Sequence, residues 1–579
     1  MCGIAGIVTN KTSNYIPVIK QMNYLLAHRG PDGEGIWADA TQRVHFGHTR
    51  LAIIDLSTHA SQPMLSVDGR FVLVFNGEIY NYLELRALCE KQGSQFNSQS
   101  DSEVIIECYR HWGEKAFKLF NGMWSFALYD QLKDEIVLCR DPFAIKPLYY
   151  VIHNQTLYFA SEIKALKAIN SRFNEVDEVS VQLFAQHGYL DREDWTFYHH
   201  IKRFPHAHYT IINLKTWQHK MTLVRYWSPP LPIQKINKAE ATEQLTKLLI
   251  KSITLHLRSD VSIAACLSGG LDSSAIVCIS AKNNAGNLEV FTTHYPEHLA
   301  IDESLWAKHI ANHVSAKHHF ATPRYDNFVN EFDKLLDVQD EPFGSLSIFA
   351  QYTLFKKIKE QSFKVALSGQ GADEQFAGYH GYFNTYLESL LFKGNLFGFA
   401  REFYYLNKHH QHKLNGVQLV KKVANRLTSN NKVQKHLLGN ADEYHFRMNT
   451  LLQPYINFDD TLVSMLTETN LPQLLRYEDR NSMGQSIESR VPFLDKDLVD
   501  FCLSLPSSLK INKGYTKAIL RDALKNIVPD NIRLRMDKLG YPVPESEWLK
   551  KAYNMTVTSN GSRDFRDMIV DKWRARINQ

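Results

Sequence analysis

Nowhere in this sequence of 579 residues does a glycine stand directly before a lysine, which excludes a Walker A loop. No two cysteines have the two-residue spacing of a zinc or dithiol motif. The seven cysteines stand at positions 2, 89, 108, 139, 266, 278 and 502 and read as reduced thiols of a cytosolic protein. No run of about 18 apolar residues suggests a membrane span, and no secretory leader precedes Cys2. The expected location is therefore cytoplasmic. An excess of one charge is lacking too: 66 basic against 61 acidic side chains leave +5, too little and too scattered to argue for nucleic acid. His409, His410 and His412 lie among Lys408 and Lys413 and read as solvated basic surface, not as a metal site. No internal repeat or low-complexity tract is evident.

At about 150 residues per domain the length allows roughly four units or fewer large ones, and two large domains are expected. From residue 1 to about 205, short runs rich in β-branched and aromatic residues dominate: Ile4 to Val8, Phe71 to Phe75, Phe126 to Tyr129, Ile136 to Leu138, Leu148 to Ile152 and Leu157 to Phe159. Asn, Asp and Gly punctuate them, as in antiparallel sheet. Helices are expected over Asn81 to Gln92 and Asp101 to Trp112. Tyr226-Trp227-Ser228-Pro229-Pro230-Leu231-Pro232 breaks both periodicities, so residues 206–236 read as a connector. Lys238 to Leu257 has helical spacing. The apolar run Val261 to Leu267 suits a parallel strand buried on both faces, and Val365 to Leu367 repeats the strand-then-glycine design. Residues 237–579 thus read as parallel-sheet α/β with a helical C-terminal part. Cys266 and Cys278 read as packing residues.

Cys2 follows the initiator methionine directly. Removal of Met1 would leave a thiol and an α-amino group on one residue, a nucleophile with its own candidate base. Downstream, Ser268-Gly269-Gly270-Leu271-Asp272-Ser273-Ser274 separates the buried strand from a helix expected over Ser274 to Lys282. Its glycines admit an anion close to the backbone, while free N–H groups and the hydroxyls of Ser268, Ser273 and Ser274 can donate to it. The plain alternative is a glycine turn between strand and helix.

That string resembles the pyrophosphate-binding loop of ATP pyrophosphatases, which split ATP between its α and β phosphates to adenylate an acceptor. The second loop, Leu367-Ser368-Gly369-Gln370-Gly371-Ala372-Asp373-Glu374, resembles that of asparagine synthetases. Five N-terminal motifs look like those of class II glutamine amidotransferases: Cys2-Gly3-Ile4-Ala5-Gly6, His28-Arg29-Gly30-Pro31-Asp32-Gly33, His48-Thr49-Arg50-Leu51-Ala52-Ile53, Phe75-Asn76-Gly77-Glu78-Ile79-Tyr80-Asn81 and Ser100-Asp101-Ser102-Glu103. The resemblance to the glutamine-hydrolysing asparagine synthetase B family covers nearly the whole chain. It implies an α+β N-terminal-nucleophile αββα sandwich followed by an α/β parallel-sheet ATP-pyrophosphatase domain with a helical C-terminal part.

Carried over residue by residue, the resemblance implies a glutamine site of Arg50, Leu51, Ala52, Ile53, Ile54, Asn76, Gly77, Glu78 and Asp101. Arg50 would hold the substrate carboxylate and Asp101 its amino group, a charge match for a zwitterion. Cys2 would attack the side-chain amide while Asn76 and the Gly77 N–H stabilise the oxyanion. Loss of one such donor typically costs about 3 kcal/mol. ATP would be held by Leu267, Ser268, Gly269, Gly270, Leu271, Asp272, Ser273, Ser274, Thr293, Ser368 and Gly369. Asp272 and Asp373 would hold Mg2+, an oxygen site suited to that ion. Arg476 to Met483 and Glu488 to Asp495 look like the helical signature of the synthetase domain, and Lys517 like the lysine that neutralises charge developing on phosphates and acyl oxygen.

One departure is Gln370, where the commoner family pattern has glutamate; glutamine orients a group by hydrogen bonds but is no general base near neutral pH. Glu341 is expected to supply the missing carboxylate. The family resemblance implies ammonia moving through an internal channel from Cys2 to an aspartyl adenylate, with small-molecule substrates glutamine, ATP and aspartate, and a homodimer as one arrangement. Other readings are an amidotransferase for a different carboxylate, such as a sugar uronic acid, or a catalytically idle relative acting as a binding protein. Cys2 argues against relatives that close β-lactam rings, and Ser268 to Ser274 against a phosphosugar amidotransferase.

Overall fold

The computed structural model describes residues 1–191, 193–230, 232, 235–283, 288–410, 419, 421, 444, 447, 457–537, 542–555 and 562–577. Leu231 of the expected connector, and His412 and Lys413 of the histidine-rich stretch, lie outside the described residues.

The β-branched and aromatic runs of the N-terminal third build two six-stranded sheets in which neighbours pair antiparallel. In the first, Gly3–Thr9 lies between Val44–Arg50 and Thr156–Ala160. In the second, Phe71–Ile79 and Gly122–Asp130 pair along their whole length, from Phe71 opposite Asp130 to Ile79 opposite Gly122. Gly3–Thr9 is buried at every position because it is covered on both faces. Helix Ile16–Leu26 lies on one side, and the second sheet, through Phe71–Ile79, on the other; helix Asp101–Trp112 covers the far side of that second sheet. An uninterrupted apolar strand is what such double coverage selects.

The segment read as a connector departs from that expectation. His208–Asn213 pairs with Glu135–Arg140, and Val224–Arg225 pairs with His208–Asn213, so both belong to the second sheet. They extend its edge, where a short strand needs only one partner and leaves little periodicity to read.

The third sheet is parallel throughout, in the order Lys317–Ala321, Glu289–Thr293, Ile263–Cys266, Val365–Leu367, Glu488–Arg490. Helix Lys238–His256 precedes it, capped by the Asn237 side chain, which accepts from the Glu240 N–H at 2.8 Å, a standard way to satisfy a first-turn donor. The strand order reverses at Ile263–Cys266 and Val365–Leu367, where one chain runs on to the left of the sheet and the other to the right. Ligands of open α/β sheets bind at that switch point, beyond the carboxyl ends of the strands. The helix after the first of these strands spans Leu271–Asn283, starting three residues earlier than expected, so Leu271, Asp272 and Ser273 form its first turn.

Apolar clusters cross from one unit to the other. Met1, Phe75 and Trp124 share a core with Leu471, Leu475, Val491 and Leu494. Ile7, Tyr149 and Phe197 share another with Phe343, Phe349 and Trp573. The C-terminal helix Arg563–Ile577 returns to pack on helix Glu178–His187 of the first unit. The seven cysteines are free and buried, and no described helix is long and apolar enough to cross a membrane.

Candidate active site

Cys2 stands at the mouth of the central strand of the first sheet, where the second sheet comes within reach. Its backbone N–H donates to Asn76 Oδ1 at 3.1 Å, and its carbonyl accepts from Arg29 Nε at 3.0 Å. Asn76 Nδ2 is buried without a partner among the described residues, an uncommon condition for a buried amide, and one that leaves a donor on the side chain bonded to Cys2. At Gly77 a Cβ would meet the Met123 carbonyl oxygen at 2.0 Å, so only glycine allows the strand to pass there. A small, half-open cavity joins Cys2 to Arg50, Leu51, Ile53, Ile54, Gly77, Glu78 and Asp101.

Arg50 closes one end of this cavity, its guanidinium donating to the carbonyls of Ser57 at 2.7 Å and of Asp55. Asp101 opens helix Asp101–Trp112, with Ser100 as the cap, and its carboxylate accepts the Ile79 N–H at 2.8 Å. Burial pushes the Asp101 carboxyl up to about 6, although the Ile79 N–H opposes it. Burial likewise raises the Cys2 thiol, while the nearby amino terminus pulls it down. A neutral thiol in the resting cavity follows, so attack requires a proton acceptor close by.

The second cleft is larger, with about 1850 Å³ of empty space, and lies at the switch point of the parallel sheet. Ser268, Gly270, Leu271, Asp272 and Ser273 line it from the first loop, with Ser368, Gly369, Gln370 and Asp373 from the second and Thr293 beside them. Ser273 Oγ lies 3.2 Å from both the Ser268 N–H and Ser268 Oγ, which fixes the loop as a cradle. Lys517 reaches in from the far side: its Nζ stands 2.6 and 2.7 Å from the Asp272 oxygens and 2.7 Å from Asp373 Oδ1. Its backbone φ is +52°, a left-handed conformation that non-glycine residues adopt at some energetic cost and that clusters at functional sites. Two carboxylates converging on one ammonium form a hard, oxygen-only donor set beside a loop rich in glycine and hydroxyl groups.

Helix Leu471–Met483 connects the two sites. From it Asp479 makes a two-pronged contact with Arg29 at 2.8 and 3.0 Å, and Arg480 meets Glu162 at 2.9 Å. On another side Glu478 accepts from Ser368 Oγ at 3.2 Å, in the loop that follows Val365–Leu367. Arg29, Glu162, Asp479 and Arg480 are all buried, and removing one member of such a network typically destabilises by about 3–5 kcal/mol.

Comparison with known proteins agrees with this two-site arrangement. A family model described as glutamine amidotransferase domain matches residues 1–227, and one described as asparagine synthase matches residues 244–571. The chain belongs to the asparagine synthase family. Asparagine synthetase [glutamine-hydrolyzing] 1 of Bacillus subtilis is 31% identical over 601 residues, spanning 99% of this chain and 92% of that protein. Asparagine synthetase [glutamine-hydrolyzing] 3 of the same organism is 29% identical, spanning 95% and 89%. Amidase chry2 of Gibberella zeae is 27% identical, spanning 95% and 90%.

Not every residue inferred from the family resemblance meets its cavity. Ala52 and Asn76 do not line the thiol cavity, although the Asn76 side chain accepts the Cys2 N–H. Leu267, Gly269 and Ser274 do not line the second cleft. Leu267 belongs to the apolar core, and Ser274 is buried. Gly269 shapes the loop instead, with φ +74° and a Cβ position only 2.5 Å from the Ala307 nitrogen. Glu341 is the clear correction. It lies outside the cleft, fully buried, accepting from Arg203 at 2.9 and 3.0 Å and from the Phe197 N–H at 2.9 Å. A carboxylate neutralising a first-unit arginine is committed to holding the units together.

Sequence reasoning also missed residues that line the cavities. Gln62 and Ser102, hydrogen-bonded at 3.2 Å, border the thiol cavity, and Arg535, Arg521, Tyr379 and His380 border the second cleft. Arg535 is held by Glu303 at 2.6 Å. Nothing local in the sequence distinguishes these from surface polar residues.

Proposed function

We propose that the chain is a glutamine-hydrolysing asparagine synthetase. The observation that carries this reading is the pairing, in one chain, of a buried Cys2 bonded to the Asn76 side chain, whose N–H has no partner among the described residues, with a glycine- and serine-rich loop facing two carboxylates and a lysine. In the first unit, an N-terminal-nucleophile sandwich, Cys2 Sγ attacks the side-chain amide of glutamine once Met1 is removed. The freed α-amino group, at the nitrogen that faces Asn76 Oδ1, accepts the thiol proton and passes it to the departing ammonia. Asn76 Nδ2 and the Gly77 N–H hold the oxyanion, and water then hydrolyses the thioester to glutamate.

In the second unit the β-carboxylate of aspartate attacks the α-phosphorus of ATP, pyrophosphate leaves, and ammonia displaces AMP from the aspartyl adenylate. Ammonia passes internally from the first unit to the second. The first phosphate loop cradles pyrophosphate, and Lys517 offsets charge developing on the phosphates. Asp272 and Asp373 would hold Mg2+, for which two carboxylates plus substrate phosphates are a usual set; when bound, the ion neutralises phosphate charge. Seven free, buried thiols suit a reducing cytoplasm.

The acceptor is tested by supplying ammonia directly and screening carboxylates for ATP-dependent pyrophosphate release. Aspartate is expected to yield AMP, pyrophosphate and asparagine in equal amounts. Should aspartate be inert while a uronic or other acid reacts, the acceptor is that acid and the two-site chemistry stands.

The role assigned to Asp101 carries a pH signature. Only the ionised carboxylate can bind the glutamine ammonium, and a carboxyl held at about 6 loses its ionised form as pH falls through that value. Between about pH 7 and about pH 5 the ionised fraction drops about tenfold, so the glutamine KM should rise by about that factor. Asp101→Asn should hold KM high at every pH. A wild-type KM that stays flat over this range removes Asp101 from the amino-group site.

A further inference from the structure

Of the lysine and arginine side chains that line the second cleft, Lys517 faces Asp272 at 2.6 Å and Asp373 at 2.7 Å, and Arg535 faces Glu303 at 2.6 Å and Asp537 at 2.9 Å. Arg521, which lines the same cleft, differs from both. It is only 7% exposed, yet it makes no ion pair among the described residues. Its Nε donates to the Thr516 carbonyl at 2.9 Å and its Nη1 to the Arg533 carbonyl, while its Nη2 has no acceptor among those residues. The Tyr515 ring lies 5.5 Å from the central carbon of the guanidinium. Neutral partners on two segments thus fix the group in place, and no carboxylate touches it. Burial works against the charge, pulling its pKa down despite the attraction of Asp272. A buried cation without a contacting counterion is costly, and an anion entering the cleft would supply one.

The place of Arg521 in the fold selects the anion. Helix Ala518–Ala523 follows Lys517 directly, and the Arg521 N–H donates to the Lys517 carbonyl at 2.9 Å, so the two side chains leave one helix face a turn apart. Both line the cleft with Asp272 and the loop Ser268 to Ser274. Asp272, Asp373 and Lys517 together carry one net negative charge, which repels a polyphosphate until further cations outweigh it. Resting on the synthetase reading, we propose that Arg521 binds the pyrophosphate half of ATP and holds it through its departure. An aspartate oxygen forms the bond to the α-phosphorus, the bond from that phosphorus to the bridging oxygen breaks, and the bridging oxygen leaves with the electron pair. Negative charge grows on the β-phosphate as it does so, and a guanidinium already fixed in place stabilises that charge without reorganising. Arg521 stays protonated throughout. Its planar fork suits phosphate oxygens in a way that an ammonium does not.

The test is calorimetric titration with pyrophosphate in the presence of Mg2+, alongside steady-state kinetics with ammonia as the nitrogen donor. In Arg521→Gln pyrophosphate should bind about 10- to 100-fold more weakly, the loss expected for a hydrogen bond between charged groups. The ATP KM should rise with it, and the aspartate KM should hold. Arg521→Lys, which keeps the charge and loses the fork, should lie between the two. A residue that only braces the segments at Thr516 and Arg533 would lower thermal stability in both variants and leave pyrophosphate affinity at the wild-type level, a result that overturns the inference. An aspartate KM that rises while pyrophosphate affinity holds overturns it too, and assigns Arg521 to the acceptor carboxylate. If Arg521→Gln fails to fold, Arg521→Met, which keeps the stem, reads the same loss, and an unchanged affinity there is equally fatal. So is wild-type protein that binds no pyrophosphate. Wild-type protein that binds pyrophosphate but releases none from ATP with any carboxylate refutes the synthetase reading instead, and the affinities of the variants still decide whether Arg521 holds that anion.

Discussion

Cys2→Ala is expected to abolish glutamine-dependent synthesis, by at least about 10⁴-fold in kcat, since deleting a covalent nucleophile removes the whole reaction path and not one stabilising contact. Synthesis from added ammonium should proceed at the wild-type rate. The asymmetry follows from the geometry. Cys2 lines a cavity with Arg50, Gly77 and Asp101, whereas the phosphate cleft is built by loops of a different sheet and shares no lining residue with it. Alanine fits the space of a side chain that is only 9% exposed and keeps Met1 followed by a small residue. The Arg29–Asp479 contact is also left in place, since Arg29 meets Cys2 at its carbonyl and not at its thiol. Glutaminase and synthetase assays on one preparation decide it: glutamine-dependent turnover surviving within about 100-fold of wild type would remove Cys2 from its role.

What the sequence revealed was what is contiguous. Ser268 to Ser274 and Ser368 to Asp373 each carry their chemistry within one loop, so strand, glycine turn and helix start can be read locally, and the parallel sheet follows from the continuous runs that precede them. The strands Gly3–Thr9 and Phe71–Ile79 were legible because burial on both faces leaves an apolar signature. The strand Glu488–Arg490 was not, because its three residues are polar and charged, buried by ion pairs and hydrogen bonds with distant partners. Glu341 and Glu478 show the same limit from two sides. Both are acidic residues beside family-like motifs, and only tertiary contacts separate them: Glu341 faces Arg203, 138 positions away, while Glu478 faces Ser368, 110 positions away. The early start of helix Leu271–Asn283 has a local cause, since Leu271 packs into the apolar core and draws the first turn into the loop.

Lys517→Ala is the second large effect expected, and it has two signs. Synthesis should fall about 10²- to 10³-fold, the loss typical of one preorganised charge stabiliser, with glutaminase activity unaffected. Mg2+ binding in the absence of ATP should strengthen. Lys517 Nζ lies 2.6 Å from Asp272 and 2.7 Å from Asp373, so in the resting protein its ammonium neutralises both carboxylates and competes with any other cation. Removing it leaves two like charges sharing one pocket, which favours a divalent ion. Lys517→Met separates charge from volume, since it keeps the stem that fills the cleft wall and should behave as the alanine variant does. Calorimetric titration with Mg2+ alongside a pyrophosphate-release assay reads both effects. If Mg2+ affinity weakens in both variants, Asp272 and Asp373 do not form the ion site. If pyrophosphate release persists within about tenfold of wild type, the lysine serves only to hold the two loops together.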